Sequence, residues 1–178
     1  FTAKEMISGC SVILEKNTFA YDGTEKKPQV RVYDVRGNIL SQSEYSIVYE
    51  NNTDAGTATV RLTGKNTYLG TKDVHFTINK AVQQLKSSAD GKRISDGEAV
   101  DLGVNAIGKV TYKVEPENIA EVSPDGRVTA KTAGTVVVTV SAEGDKNHDS
   151  AQIPARLVFE HEYDKGVITK KASCETDG

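Results

Sequence analysis

The sequence predicts an all-β fold, two antiparallel β-sandwiches in tandem, and three observations carry that expectation. Short segments in which apolar and polar residues alternate recur along most of the chain. Turn signals built on Gly, Asn and Asp separate them at roughly eight- to twelve-residue spacing. No stretch shows the apolar period of an amphipathic helix. The pattern is clearest from Val122 to Ser141, VSPDGRVTAKTAGTVVVTVS. Pro124-Asp125-Gly126 and Ala133-Gly134 mark turns there, because Asp-Gly tolerates the positive φ of a tight hairpin. Val136, Val138 and Val140 then fall on one face of a strand, with Thr135, Thr139 and Ser141 on the other. That is the signature of a half-buried antiparallel sheet.

Taken in order, residues 1–10 carry little pattern. Ser11 to Leu14 and Thr18 to Tyr21 alternate and end at the turn Asp22-Gly23. Pro28 cannot donate to a ladder, so it belongs at a strand start, here Gln29 to Asp34 with Val30 and Val32 on one face. Beyond the turn Arg36-Gly37-Asn38, Tyr45, Ile47 and Tyr49 alternate with Ser46, Val48 and Glu50. Asn51-Asn52-Thr53-Asp54 reads as a polar loop whose side chains bond nearby backbone. Gly56 to Thr63 sets Ala58, Val60 and Leu62 on one side. After Gly64-Lys65-Asn66 and Tyr68, Asp73 to Asn79 turns Val74, Phe76 and Ile78 inward. This set closes a first sandwich over residues 1–80.

A second set fills residues 81–160. Its expected strands are Val82 to Leu85, Ala99 to Val104, Val110 to Val114, Ile119 to Val122, Arg127 to Ala130, Thr135 to Ser141 and Ala151 to Glu160. Pro154 marks an edge or a bulge within the last of them. The halves echo each other: Ala55-Gly56-Thr57-Ala58-Thr59-Val60 and Ala133-Gly134-Thr135-Val136-Val137-Val138 start 78 positions apart. Lys65-Asn66 and Lys146-Asn147 follow, each just after a glycine, so one architecture is used twice. A unit of about 80 residues buries roughly 60–65% of its unfolded surface, enough for marginal independent stability. The junction Ile78 to Val82 has no Gly/Ser linker, which predicts an elongated, stiff pair. Residues 161–178 form a short extension.

The totals exclude several classes of function. Among 178 residues the formal net charge is -3 and the basic residues are scattered. Lys26-Lys27 and Lys170-Lys171 are too short for the basic stripe that nucleic acid requires. No apolar run reaches bilayer length, so no membrane insertion is expected. The start at Phe1 and stop at Gly178, without a signal peptide, read as a piece of a longer protein. With no Trp and one Met, the cores must be aliphatic with Tyr. Cys10 and Cys174 lie near opposite ends and are expected to be unpaired thiols, since a bridge would bring both ends of a tandem row together.

Two family resemblances rest on these residues. The second half resembles a bacterial Ig-like domain of group 2, as in intimin/invasin-type adhesins and Gram-positive surface proteins. The likeness is carried by Ile119-Ala120-Glu121-Val122, Asp125 to Ala130 and Ala133 to Val140. The first half is similar to another bacterial Ig-like surface repeat through Tyr21-Asp22-Gly23, Pro28, Tyr45, Tyr49-Glu50-Asn51-Asn52, Ala55 to Val60, Gly64, Tyr68-Leu69-Gly70 and Phe76-Thr77-Ile78. His161, Gly166, Thr169, Ala172, Cys174 and Gly178 resemble the opening of a Cys-containing surface repeat. What these resemblances imply is an extracellular, non-catalytic, modular protein.

The chemistry-bearing residues fit ordinary surface roles. His75, His148 and His161 lack any zinc spacing and read as exposed imidazoles. No GxSxG elbow accompanies the serines. Glu115/Glu117, Glu121 and Asp125 could serve as glycosidase acids only in a cleft that a narrow sandwich does not favour. The loops Asn51 to Asp54 and Asp145-Lys146-Asn147-His148-Asp149 offer oxygen ligands for calcium, but turn chemistry accounts for them. A Lys–Asn/Asp isopeptide needs a buried lysine, whereas the core-facing positions read as apolar. As sugar-stacking groups, Tyr45 and Tyr49 belong to the core, leaving Tyr33, Tyr68 and Tyr163 as exposed candidates. No residue is therefore expected to be catalytic, cofactor-binding or metal-binding, and no cofactor is expected. The chain is expected to be a monomeric spacer on a cell-surface or secreted protein. The rival is an adhesin or carbohydrate-binding module that recognises a host protein or glycan through its loops or an edge strand.

Overall fold

The computed structural model describes residues 4–95 and 97–161. The chain divides into two compact units. Among the described residues, the first comprises 4–84 together with Ala106–Lys109 and Ala142–Ala151; the second comprises 85–95, 97–105, Val110–Ser141 and 152–161. Both are built from strands, and the only helical segments among the described residues are two single 3-10 turns, Ile7–Gly9 and Gln42–Glu44.

In the first unit the strands are β1 (Glu5–Met6), β2 (Ser11–Leu14), β3 (Thr18–Ala20), β4 (Val30–Tyr33), β5 (Tyr45–Glu50), β6 (Gly56–Gly64), β7 (Tyr68–Leu69) and β8 (Thr71–Asn79). A four-stranded sheet runs β3-β8-β6-β5, and β2 pairs with β4. The long pairings are antiparallel, while the short strands β3 and β1 join β8 and β7 in parallel. About fifty residues separate β3 from β8, the kind of long connection a parallel neighbour requires. Ala58, Val60 and Leu62, the inward face expected of β6, are fully buried with Val32, Phe76 and Ile78. Phe19 meets Phe76 edge-on at 5.4 Å, the geometry that ring quadrupoles favour. Ile7, within the stretch that showed little pattern, is also fully buried.

The second unit contains β9 (Arg93–Ser95), β10 (Ala99–Asp101), β11 (Val110–Glu115), β12 (Ala120–Val122), β13 (Arg127–Ala130), β14 (Gly134–Ala142) and β15 (Ala151–Glu160). Its sheets run β9-β15-β14-β11 and β10-β13-β12. Val136, Val138 and Val140 are fully buried against Val128, Ala155, Leu157 and Phe159. The sequence echo now has a structural meaning. Gly56 opens β6 and Gly134 opens β14, and those strands hold the same place in sheets of the same order.

One expectation is overturned and another is met. Val82 to Leu85 is not a strand: Val82 is 70% exposed, and Ala81 makes one isolated bridge to His148. The buried residue there is Gln83, whose amide donates to the Asp149 carbonyl at 2.8 Å and accepts from the Ile107 N–H at 3.0 Å. A satisfied polar side chain thus sits where alternation called for an apolar one. Pro154 lies inside β15, yet β9 covers only Val158 to Glu160. The Arg156 N–H on that edge donates to Asp90, so two residues earlier the edge is open and a proline removes no ladder bond.

Candidate functional site

β11 closes one sheet of the second unit and β12 closes the other, and a cleft of about 270 Å³ lies along this seam. Tyr112, Lys113 and Val114 line it from β11, Ala120, Glu121 and Val122 from β12, with Glu117 and Lys131 at the rim. The loop between the strands carries a cis Glu115-Pro116 bond. Lys131 reaches the Glu121 carboxylate at 3.4 Å and donates to the Glu117 carbonyl at 3.2 Å. Lys113 pairs with Glu115 at 2.6 Å, and that bond raises the lysine's pKa. Burial raises the Tyr112 phenol, assisted by the Asp125 charge.

The four carboxylates singled out from sequence therefore do not converge. Glu117 and Glu121 border the cleft, Glu115 belongs to Lys113, and Asp125 accepts from the Ser123 hydroxyl, which lowers its pKa. Glu121, with its side chain 66% exposed beside Lys131, is in the setting of a surface ion pair rather than of a desolvated general acid. Sequence reasoning missed Lys113, Lys131 and Tyr112. The available signal was that strands Val110 to Val114 and Ile119 to Val122 are joined by a short loop and present unlike charges. A second depression, in the first unit, is lined by Ile13, Tyr33 and Val35, of which Ile13 and Val35 are 54% and 71% exposed.

The two oxygen-rich loops come together within the first unit, around an ammonium group. Lys146 donates to one oxygen of Asp54 at 2.6 Å and the Asn147 amide to the other at 3.0 Å. The Ala55 N–H returns a bond to Asn147 at 2.8 Å. One oxygen of Asp145 takes the N–H groups of Asn147 and His148 and faces the His148 ring nitrogen at 2.9 Å. His148 is thus half-buried, its ring edge-on to Tyr21 at 5.3 Å, and not the exposed imidazole expected from sequence. His75 is exposed and meets the Thr59 hydroxyl at 3.1 Å, and His161 is exposed.

Other expectations are corrected at single residues. Tyr68 is buried and Tyr33 half-buried, so neither offers an open ring face, and Tyr163 lies outside the described residues. Lys26 is buried, against the expectation of wholly apolar inward positions. Its ammonium is held by Asp22 and by the Thr24 hydroxyl at 2.8 Å, while the buried Asn52 amide donates to the Lys26 carbonyl at 2.9 Å. The Cys10 thiol is free, buried, and raised in pKa by that burial; Cys174 lies outside the described residues.

No family model matches the chain, and no curated protein matches it. Among solved structures it is similar to the S-layer protein rSbsC(31-844), at 15% identity and a TM-score of 0.38 over 88% of this chain, which spans 28% of that one. It is also similar to S-layer protein SbsC domains 4 and 5, at 14% identity and a TM-score of 0.36, covering 86% of this chain and 98% of that one.

Asp22, Asp34, Asp54, Asp73, Asp125 and Asp145 share one electrostatic feature. Hydrogen bonds from neighbouring side chains hold each below the usual carboxylate range. A carboxyl depressed in the folded state contributes stability that is complete above its unfolded pKa of about 3.9 and is lost as pH falls toward the folded value. Melting temperature should therefore be insensitive to these groups from neutrality down to about pH 5 and should fall below about pH 4. Melts across that range check it, and an unchanged midpoint in acid would contradict it.

Proposed function

We propose that this chain is a non-catalytic spacer from an extracellular bacterial surface protein, with residues 1–80 and 81–160 as two Ig-like repeats and 161–178 as the opening of a further, Cys-containing repeat or a tail. The observation that carries the reading is the pair of buried apolar clusters, one around Ala58, Val60 and Leu62 and the other around Val136, Val138 and Val140, on which the strands of the two units pack. The polar clusters close on themselves through Arg61 with Glu50 and Asp73, Lys146 with Asp54, and Lys131 with Glu121. Paired sheets around dry cores resist unfolding, which is what a spacer contributes. The bacterial Ig-like resemblance of both halves, including its Gram-positive setting, supports the same reading.

A second reading, recognition of a host protein or glycan, is favoured by the β11–β12 cleft with its two lysines and Tyr112. Glycan-array and serum-protein binding by the chain separate the two. The spacer reading expects no specific ligand. A ligand whose binding is abolished by Lys131→Ala together with Tyr112→Ala would replace it with the second. Arg61→Ala tests the closed clusters: Arg61 forks onto Asp73 at 2.9 and 2.8 Å and reaches Glu50 at 2.8 Å. A modest, salt-sensitive loss of stability is expected, and equal melting of both proteins at low and high salt would contradict it.

A further inference from the structure

β5 and β11 are equivalent strands. Each has six residues, ends a sheet of the same order, and points alternate backbone N–H and C=O groups away from its one neighbour. Their outward faces match position by position, Ser46 with Thr111, Val48 with Lys113 and Glu50 with Glu115. β11 thus carries a charged, lysine-centred edge of the kind that deters pairing with another chain. β5 does not. At its centre Val48 is 53% exposed, and its one carboxylate, Glu50, is held by Arg61 at 2.8 Å. Among the described residues no hydrogen bond from outside the ladder engages the backbone of Ser46 to Glu50.

We propose that β5 is a homotypic pairing edge, on which β5 of a second copy of this chain adds in antiparallel fashion. The occupant follows from self-complementarity. A two-fold axis through Val48 keeps the core faces of both sheets on one side and sets Val48 against the partner's Val48. The same register places Ser46 opposite the partner's Glu50, a hydroxyl donor against a carboxylate, and Ile47 opposite the partner's Tyr49. No like charges meet. In β11 the same operation would set Lys113 against its own copy and be repelled. One strand pair buries little area, so the association belongs to the weak class, and it departs from the monomer expected from sequence.

Sedimentation equilibrium over a concentration series reaching the millimolar range tests this on the whole chain. The expected result is an average mass that climbs from monomer toward dimer, and hydrogen exchange at Ser46 to Glu50 that slows as concentration rises. Val48→Lys, at an exposed site, should melt like the parent and remain monomeric throughout, and Val48→Glu should do the same. A monomer mass at every concentration overturns the proposal, as does a dimer that both variants leave intact. Capture of some other extended peptide by a strictly monomeric chain also overturns it.

Discussion

Phe159→Ala is expected to cost the second unit about 3–5 kcal/mol, the range for deleting a fully buried ring. Phe159 is 1% exposed and is the largest fully buried side chain described. It stands on β15 beside Leu157, in register with Ile94 of the short strand β9, and joins the cluster of Val128, Val136, Val138 and Val140. Without Trp, few other side chains could swing in to fill the space. A sandwich of this size starts with little margin, since small domains bury a smaller share of their surface and whole proteins hold only about 5–15 kcal/mol. The midpoint of thermal unfolding for that unit should fall by at least about 10 °C. Amide exchange should accelerate along Val136 to Val140. Leu62→Ala, in the other core, should accelerate exchange along Ala58 to Leu62 at a cost of about 2–5 kcal/mol. If Phe159→Ala cost under about 1 kcal/mol, the side-chain packing described for this core would be wrong.

How much of this was legible beforehand depended on the strength of the local signal. Alternation over long strands left little ambiguity. Ala58, Val60 and Leu62, and likewise Val136, Val138 and Val140, could lie on only one face, because a one-residue slip would expose all three. The repeated Ala-Gly-Thr opening showed that one architecture recurs, and β6 and β14 do hold equivalent places. Three of the short strands were beyond reach. β1, β7 and β9 have two or three residues each, too few for a period, and the parallel pairing that places β9, and likewise β3 in a segment that alternation did find, is with distant segments. Buried polar residues were missed for a related reason. Lys26, Asn52 and Gln83 are inward because specific partners satisfy them, and those partners are brought close only by folding. The cleft shares that origin, because Lys131 reaches Glu117 and Glu121 from beyond β13.

Gly144→Ala is the second large effect expected, and here the obstacle is backbone. Gly144 has φ +78°, and a Cβ on it would lie 2.5 Å from the His148 carbonyl oxygen and 2.7 Å from the carbonyl carbon and oxygen of Asp149. The left-handed conformation alone costs an L-residue about 1–2 kcal/mol. Overpacking adds roughly 1–3 kcal/mol, toward the upper end when main chain and not a side-chain tip must retreat. The segment that would have to move is the one through which Lys146 and Asn147 hold Asp54 and the Ala55 N–H. Gly37 supplies the control, with φ +86° and nothing within 4 Å of its Cβ position. Gly37→Ala should therefore carry the conformational cost alone. The difference between the two melts reads the clash directly, and the Ala55 amide should lose exchange protection only in Gly144→Ala. Equal destabilisation by both variants, with Ala55 still protected in each, would mean that the loop yields freely and that its packing does not hold Asp54 in place.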